Sequence, residues 1–148
     1  MEIIDFDKTK SDSDKLDAMM RMTENILEEV VQSKLLFRHD QRDNIAESWE
    51  EIKPKLQKMR RLLRKDPAGL AKAGLKGPNL SFKAQGLFHS YWYLNREGGV
   101  WRILKSLGWA KIGIGSLATC VPVVREFAEI LNEFIEGIQI ALEDSERA

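Results

Sequence analysis

Cysteine is all but missing from this chain: Cys120 is the only one, so no intrachain disulfide can staple the fold. Its neighbours Leu117, Ala118, Val121 and Val123 are apolar, which suits a small core residue in a reducing compartment and sets the expectation of a cytoplasmic protein. Net charge is missing too, because 23 basic residues balance 23 acidic ones. That removes the basic excess expected of a nucleic-acid binder and the long-range steering that net charge provides. Long apolar runs are absent. The longest uncharged stretch near the middle, Ile112 to Val124, falls short of the roughly 20 residues a membrane-spanning helix needs, so no transmembrane segment is expected. The first ten residues carry Glu2, Asp5 and Asp7 in place of a basic start and an apolar run, unlike a secretory signal. Strand-like alternation and repeats at solenoid spacing are also lacking.

What is present is helical periodicity. Hydrophobic residues make up 43% of the 148 and charged residues 31%, an ordinary balance for one globular domain with a real core. The expected layout is a loosely ordered segment over residues 1–12 and a single bundle of about five helices over 13–145. Ser11 and Ser13 offer N-cap hydroxyls, with Asp12, Asp14 and Asp17 at the positive end of the dipole. Leu16, Met19, Met20, Thr23, Ile26, Leu27, Val30 and Val31 then share one face of a first helix, expected to run to about Phe37. A second helix starts near Asp40 or Asp43, with a heptad-like seam of Ile45, Trp49, Ile52, Leu56, Met59 and Leu63. Pro54 falls inside that seam without changing its phase, which predicts one kinked helix over two short ones.

Asp66-Pro67 ends this helix and opens a short turn through Ala73, and Gly74, Gly77 and Pro78 mark irregular chain. Asn79 or Ser81 caps the third helix, which Gly98-Gly99 stops. The fourth begins near Val100 and is apolar on most sides, as a central bundle helix would be, with a possible break at Gly108. Pro122 opens the last helix. Its inner stripe is Val124, Phe127, Leu131, Phe134, Ile138 and Leu142.

Catalytic groupings are thin. His39 sits beside Arg38 and Asp40 at an expected helix end, and His89 sits in an aromatic helix; neither has a partner at metal-ligand spacing. No Glu-x-x-His step occurs, so neither a zinc site nor a carboxylate-bridged metal site is expected, and no cofactor. Gly113-Ile114-Gly115-Ser116 lacks the lysine and the preceding strand of a phosphate loop. Cys120 lacks the exposed, basic surroundings of a reactive thiol. The expectation is a protein that is not an enzyme.

Three surface signals remain. Lys53 to Lys65 holds seven cations and no acid. Of these, Lys55, Lys58, Arg60, Arg61, Arg64 and Lys65 are the candidate basic face for a partner; a solvated helix C-terminus is the plainer account of them. The last helix offers the complement in Glu126, Glu129, Glu133 and Glu136, and the two faces are free to meet within the fold, between copies or not at all. The third signal is aromatic: Tyr91, Trp92 and Tyr93 are consecutive, and a helix cannot bury three neighbouring side chains on one face.

The stretch Glu97-Gly98-Gly99-Val100-Trp101-Arg102-Ile103 loosely resembles the Asp-Gly…Trp-Gly-Arg-Ile segment of the Bcl family of apoptosis regulators. The family's Leu-x-x-x-Gly-Asp motif has no counterpart in the second helix, nor its Trp-rich segment after Leu142, and membership is not assigned. The expected function is a helical protein–protein interaction or oligomerisation module, possible as the N-terminal domain of a larger protein. Its partner is a protein or a second copy and not nucleic acid. The first alternative is a membrane-associating effector that makes peripheral contact through the basic helix and the apolar 109–124 segment; the last is an enzyme, which would need a polar pocket joining His39 or His89 to a carboxylate.

Overall fold

The architecture is that of a computed structural model, which describes residues 11–33, 37–65, 77–94 and 100–147, without the side chains at 77–79, 81, 91–94, 120 and 145–147. Among the described residues there are five helices and no strand: α1 Asp12–Gln32, α2 His39–Arg64, α3 Gly77–Leu94, α4 Val100–Cys120 and α5 Pro122–Arg147. The chain is an all-α bundle, as its periodicity predicts. The expected flexible residues 1–10, the turn from Pro67 to Ala73 and the Gly98-Gly99 stop lie outside the described residues.

The Ser11 hydroxyl accepts a hydrogen bond from the Asp14 amide at 3.2 Å and so caps α1. The helix ends at Gln32, about a turn earlier than its pattern predicts, and Ser33 leaves in extended conformation. Phe37 is buried nonetheless, as a residue of the connection. His39 therefore opens α2 and does not close a preceding helix, and it stands where the dipole disfavours a cation.

α2 runs unbroken through Pro54, which is exposed. The seam explains why: Trp49, Leu56, Met59 and Leu63 are buried on both sides of the proline, so tertiary packing outweighs the one backbone hydrogen bond it removes. α3 starts at Gly77, ahead of the Asn79 or Ser81 caps expected, with Pro78 in its first turn. Proline is tolerated there because the amide it lacks would have had no partner. α4 is continuous across Gly108, held by Leu107, Ala110 and Ile114 buried against the core.

The helices close in the order α1, α2, α5, α4, α3 and back to α1, with α1 also touching α4 across the middle. Ile26, Met59, Leu87, Leu117 and Ile135 bring one fully buried side chain from each helix into the shared core. Each such burial stabilises by about 1.5–3 kcal/mol. α5 turns its buried stripe of Val124, Ala128, Leu131, Ile135, Ile138 and Leu142 inward. Phe127 and Phe134 are only half-buried, because they sit on its flank toward α2. The α4–α5 pair is antiparallel: Lys111 lies 3.6 Å from Glu136, and Arg125 donates back to the Ala118 carbonyl at 3.1 Å.

Candidate interaction surfaces

The α1–α2 edge is closed by charge. Arg60 Nε donates to Asp17 Oδ1 at 2.5 Å, and Arg64 Nη2 donates to Oδ2 at 3.2 Å. Arg21 Nε stands 3.9 Å from the same carboxylate. Burial works against the Asp17 charge, but the Arg60 hydrogen bond and the charges of Arg60, Arg64 and Arg21 outweigh it and hold the carboxyl below its ordinary value. One turn apart along the same edge, Gln57 donates to Glu24 at 2.9 Å and Lys53 donates to Glu28, which raises the Lys53 ammonium above its ordinary value.

The basic segment is thereby divided. Arg60 and Arg64 reach the acids of α1, while Lys55, Lys58, Arg61 and Lys65 are exposed on the outer side of α2. Lys58 Nζ lies 5.6 Å from the centre of the Phe127 ring. Glu126, Glu129, Glu133 and Glu136 are exposed on α5, and of these Glu136 pairs with Lys111 of α4. Among the described residues no ion pair joins the basic segment to the acidic face of α5; its partners are on α1.

The side chains of Tyr91, Trp92 and Tyr93 lie outside the described ones. The aromatic exposure that is described stands one helix further on. Trp101 is 83% exposed, Phe82 68% and Ile112 51%. Trp101, Lys105, Gly108 and Ile112 follow one another at steps of four, three and four, so they share the outward side of α4. Phe82 stands edge-on to Trp109 with ring centres 5.3 Å apart, extending this side onto α3. Neither α3 nor α4 contains an acidic residue, while Lys83, Arg102, Lys105 and Lys111 lie along them. α4 packs on α1, α3 and α5, as the central helix its mostly apolar pattern predicts, and it keeps one side outward. Lys105 is the one charge among the four positions on that side, too little for the sequence to separate it from the buried ones.

A groove of about 250 Å³ lies between the first half of α2 and the second half of α5, walled by Gln41, Ile45, Ser48, Phe134, Ile138 and Ala141. Gly137 adds no side chain there, and no ionisable group lines it. Above it Trp49 stacks on Phe134 at 5.8 Å. Such walls can take an apolar side chain; the Ser48 hydroxyl has no acid or base among the lining residues to activate it.

His39 is exposed at the start of α2, with its Nδ1 3.5 Å from Arg42 Nη2. His89 is half-buried, its ring 6.2 Å from that of Phe88. Among the described residues no group of three or more His, Cys, Asp or Glu is placed to hold a metal ion. Nor is any helix among them long and apolar enough to cross a membrane. No family model, curated protein or solved structure matches this chain, so the short Bcl-like segment carries no family assignment.

Proposed function

We propose that this chain is a non-enzymatic helical interaction module that binds a protein partner, another copy of the chain included. The observation that carries the proposal is Trp101, whose side chain is 83% exposed on the outward side of α4. A tryptophan left in water forgoes the largest apolar burial any side chain can make, and tryptophan is the residue most enriched at the centres of binding sites. Ile112 and Phe82 widen the same surface, and Gly108 leaves room beside it, since nothing lies within 4 Å of where its Cβ would stand.

The test places a photo-reactive phenylalanine analogue at Ile112, in the cells that make the protein. A discrete protein adduct that disappears in the Trp101→Ala background is the expected result. Adducts to lipid alone, or a protein adduct indifferent to Trp101, contradict the proposal.

A second reading is favoured by one specific observation: α3 and α4 carry lysines and an arginine but no acid beside these exposed rings. Aromatic and basic side chains on one surface suit the headgroup region of an anionic bilayer. Co-sedimentation with phosphatidylserine vesicles, abolished by Trp101→Ala and absent with phosphatidylcholine vesicles, is what that reading predicts.

A further inference from the structure

The outward side of α2 has an order that neither its packing nor its capping requires. Asp43, Glu47 and Glu50 follow at steps of four and three, then Pro54 comes four residues on. After Pro54, Lys58, Arg61 and Lys65 follow at steps of four, three and four. All seven residues are exposed, and at about 100° per residue they fall in one narrow sector of the helix surface. Each acid thus has a base at the same distance on the other side of Pro54: Asp43 matches Lys65, Glu47 matches Arg61, and Glu50 matches Lys58.

Within one molecule this order is unfavourable. Neighbours three and four apart on a helix interact, and here each such neighbour within a block bears the same sign. Among the described residues none of the six makes an ion pair; the one contact they show is Lys58 over Phe127. A helix interspersing the two signs would gain from the same charges what this one loses. The dipole favours acids at the start and bases at the end, but only within the first and last turns, and the blocks extend inward almost to Pro54.

We propose that α2 is the interface for a second copy of this chain, packed antiparallel about a two-fold axis through Pro54. Rotation about that axis lays the acidic half of one α2 on the basic half of the other, and every like-sign run meets its opposite. Glu47 of each copy then meets Arg61 of the other, Asp43 meets Lys65, and Glu50 meets Lys58. A two-fold interface must be self-complementary, and a sign-reversing palindrome is the simplest sequence that is. The contact spans about 33 Å of helix and is mostly charged, so it belongs with weak, salt-sensitive associations. The inference rests on the reading of the chain as an interaction module and names one partner and its site.

The experiment is sedimentation equilibrium on the full chain at about 10 mM and about 1 M salt, where charges are screened over about 30 Å and 3 Å. A dimer that weakens with salt is expected. Glu47→Lys alone and Arg61→Glu alone should each weaken it by about tenfold, since each places like charges opposite one another twice. Mixing the two single variants in equal amounts should restore a dimer of wild-type strength, because only the mixed pair regains both opposite contacts. Circular dichroism confirms that both variants fold. A chain that stays monomeric at low salt overturns the inference, as does a dimer untouched by either substitution or not restored by mixing. Any of these leaves the module reading to be judged separately by the adduct at Ile112.

Discussion

The α1–α2 edge and the α3–α4 edge close the same core by opposite means. Along α1–α2, the rim is polar: Asp17 holds Arg60 and Arg64, Glu24 holds Gln57, and Glu28 holds Lys53. Along α3–α4, one polar contact runs from Lys83 to the Ser116 hydroxyl, and the rest of the described rim is a ring laid on bare backbone. A Cβ at Gly86 would fall 2.6 Å from Trp109 ring carbons, so the indole occupies the space that any other residue would need. The first edge specifies register through charge and uses up the ions on the inner side of α2. The second specifies it through shape and leaves Phe82 and Ile112 uncovered beside Trp109. The surfaces left for partners differ accordingly, one of segregated charge and one apolar with basic residues alongside.

The comparison ends at the centre of the bundle, where both edges draw on one core. Met59→Ala in α2 and Leu87→Ala in α3 should each cost about 2–5 kcal/mol in denaturant unfolding, because each empties a fully buried site. A cost below about 1 kcal/mol at either position would mean that its edge does not share the core.

At the rims the two edges should separate. Asp17→Asn should cost about 1.5–3 kcal/mol at neutral pH, by loosening hydrogen bonds from charged groups. The carboxyl is held below its ordinary value of 3.8 in the folded state, so its contribution is complete above that pH. It is lost as pH falls through the depressed folded value. The stability gap between wild type and Asp17→Asn should therefore close in acid, and a gap that persists would show that Asp17 acts through packing.

Gly86→Ala should cost about 1–2 kcal/mol and be insensitive to pH, because the rigid Trp109 ring must move. Gly108→Ala, on the facing helix, should instead stabilise by up to about 1 kcal/mol, since nothing crowds that position and alanine is the better helix former. The same substitution with opposite signs on paired helices is the sharpest form of the contrast.

These positions also show how far the sequence could be read. The five helices were legible because their apolar stripes keep a regular period and because Ser11 and Pro122 mark starts that local chemistry dictates. The end of α1 at Gln32 was not, since Phe37 extends the apolar pattern while serving the core from a connection. Nor was the early start of α3, where Gly77-Pro78 looks like a loop until the first-turn tolerance for proline is applied. Of the candidate surfaces, the exposure of Lys55, Lys58, Arg61 and Lys65 and of the α5 glutamates follows from periodicity alone. That Arg60 and Arg64 turn to Asp17 depends on which helix lies beside α2, information held only in the tertiary arrangement. Trp101 was hidden by its composition. An apolar helix predicts burial, and only the placement of neighbours shows which side is left over.

The central claim is that Trp101 serves a partner and not the fold. Chemical denaturation of the Trp101→Ala variant tests it most directly. Stability within about 0.5 kcal/mol of wild type is the predicted result, as for a surface residue with no structural duty. A loss of 2 kcal/mol or more, on the order expected for truncating a packed core side chain, would contradict it.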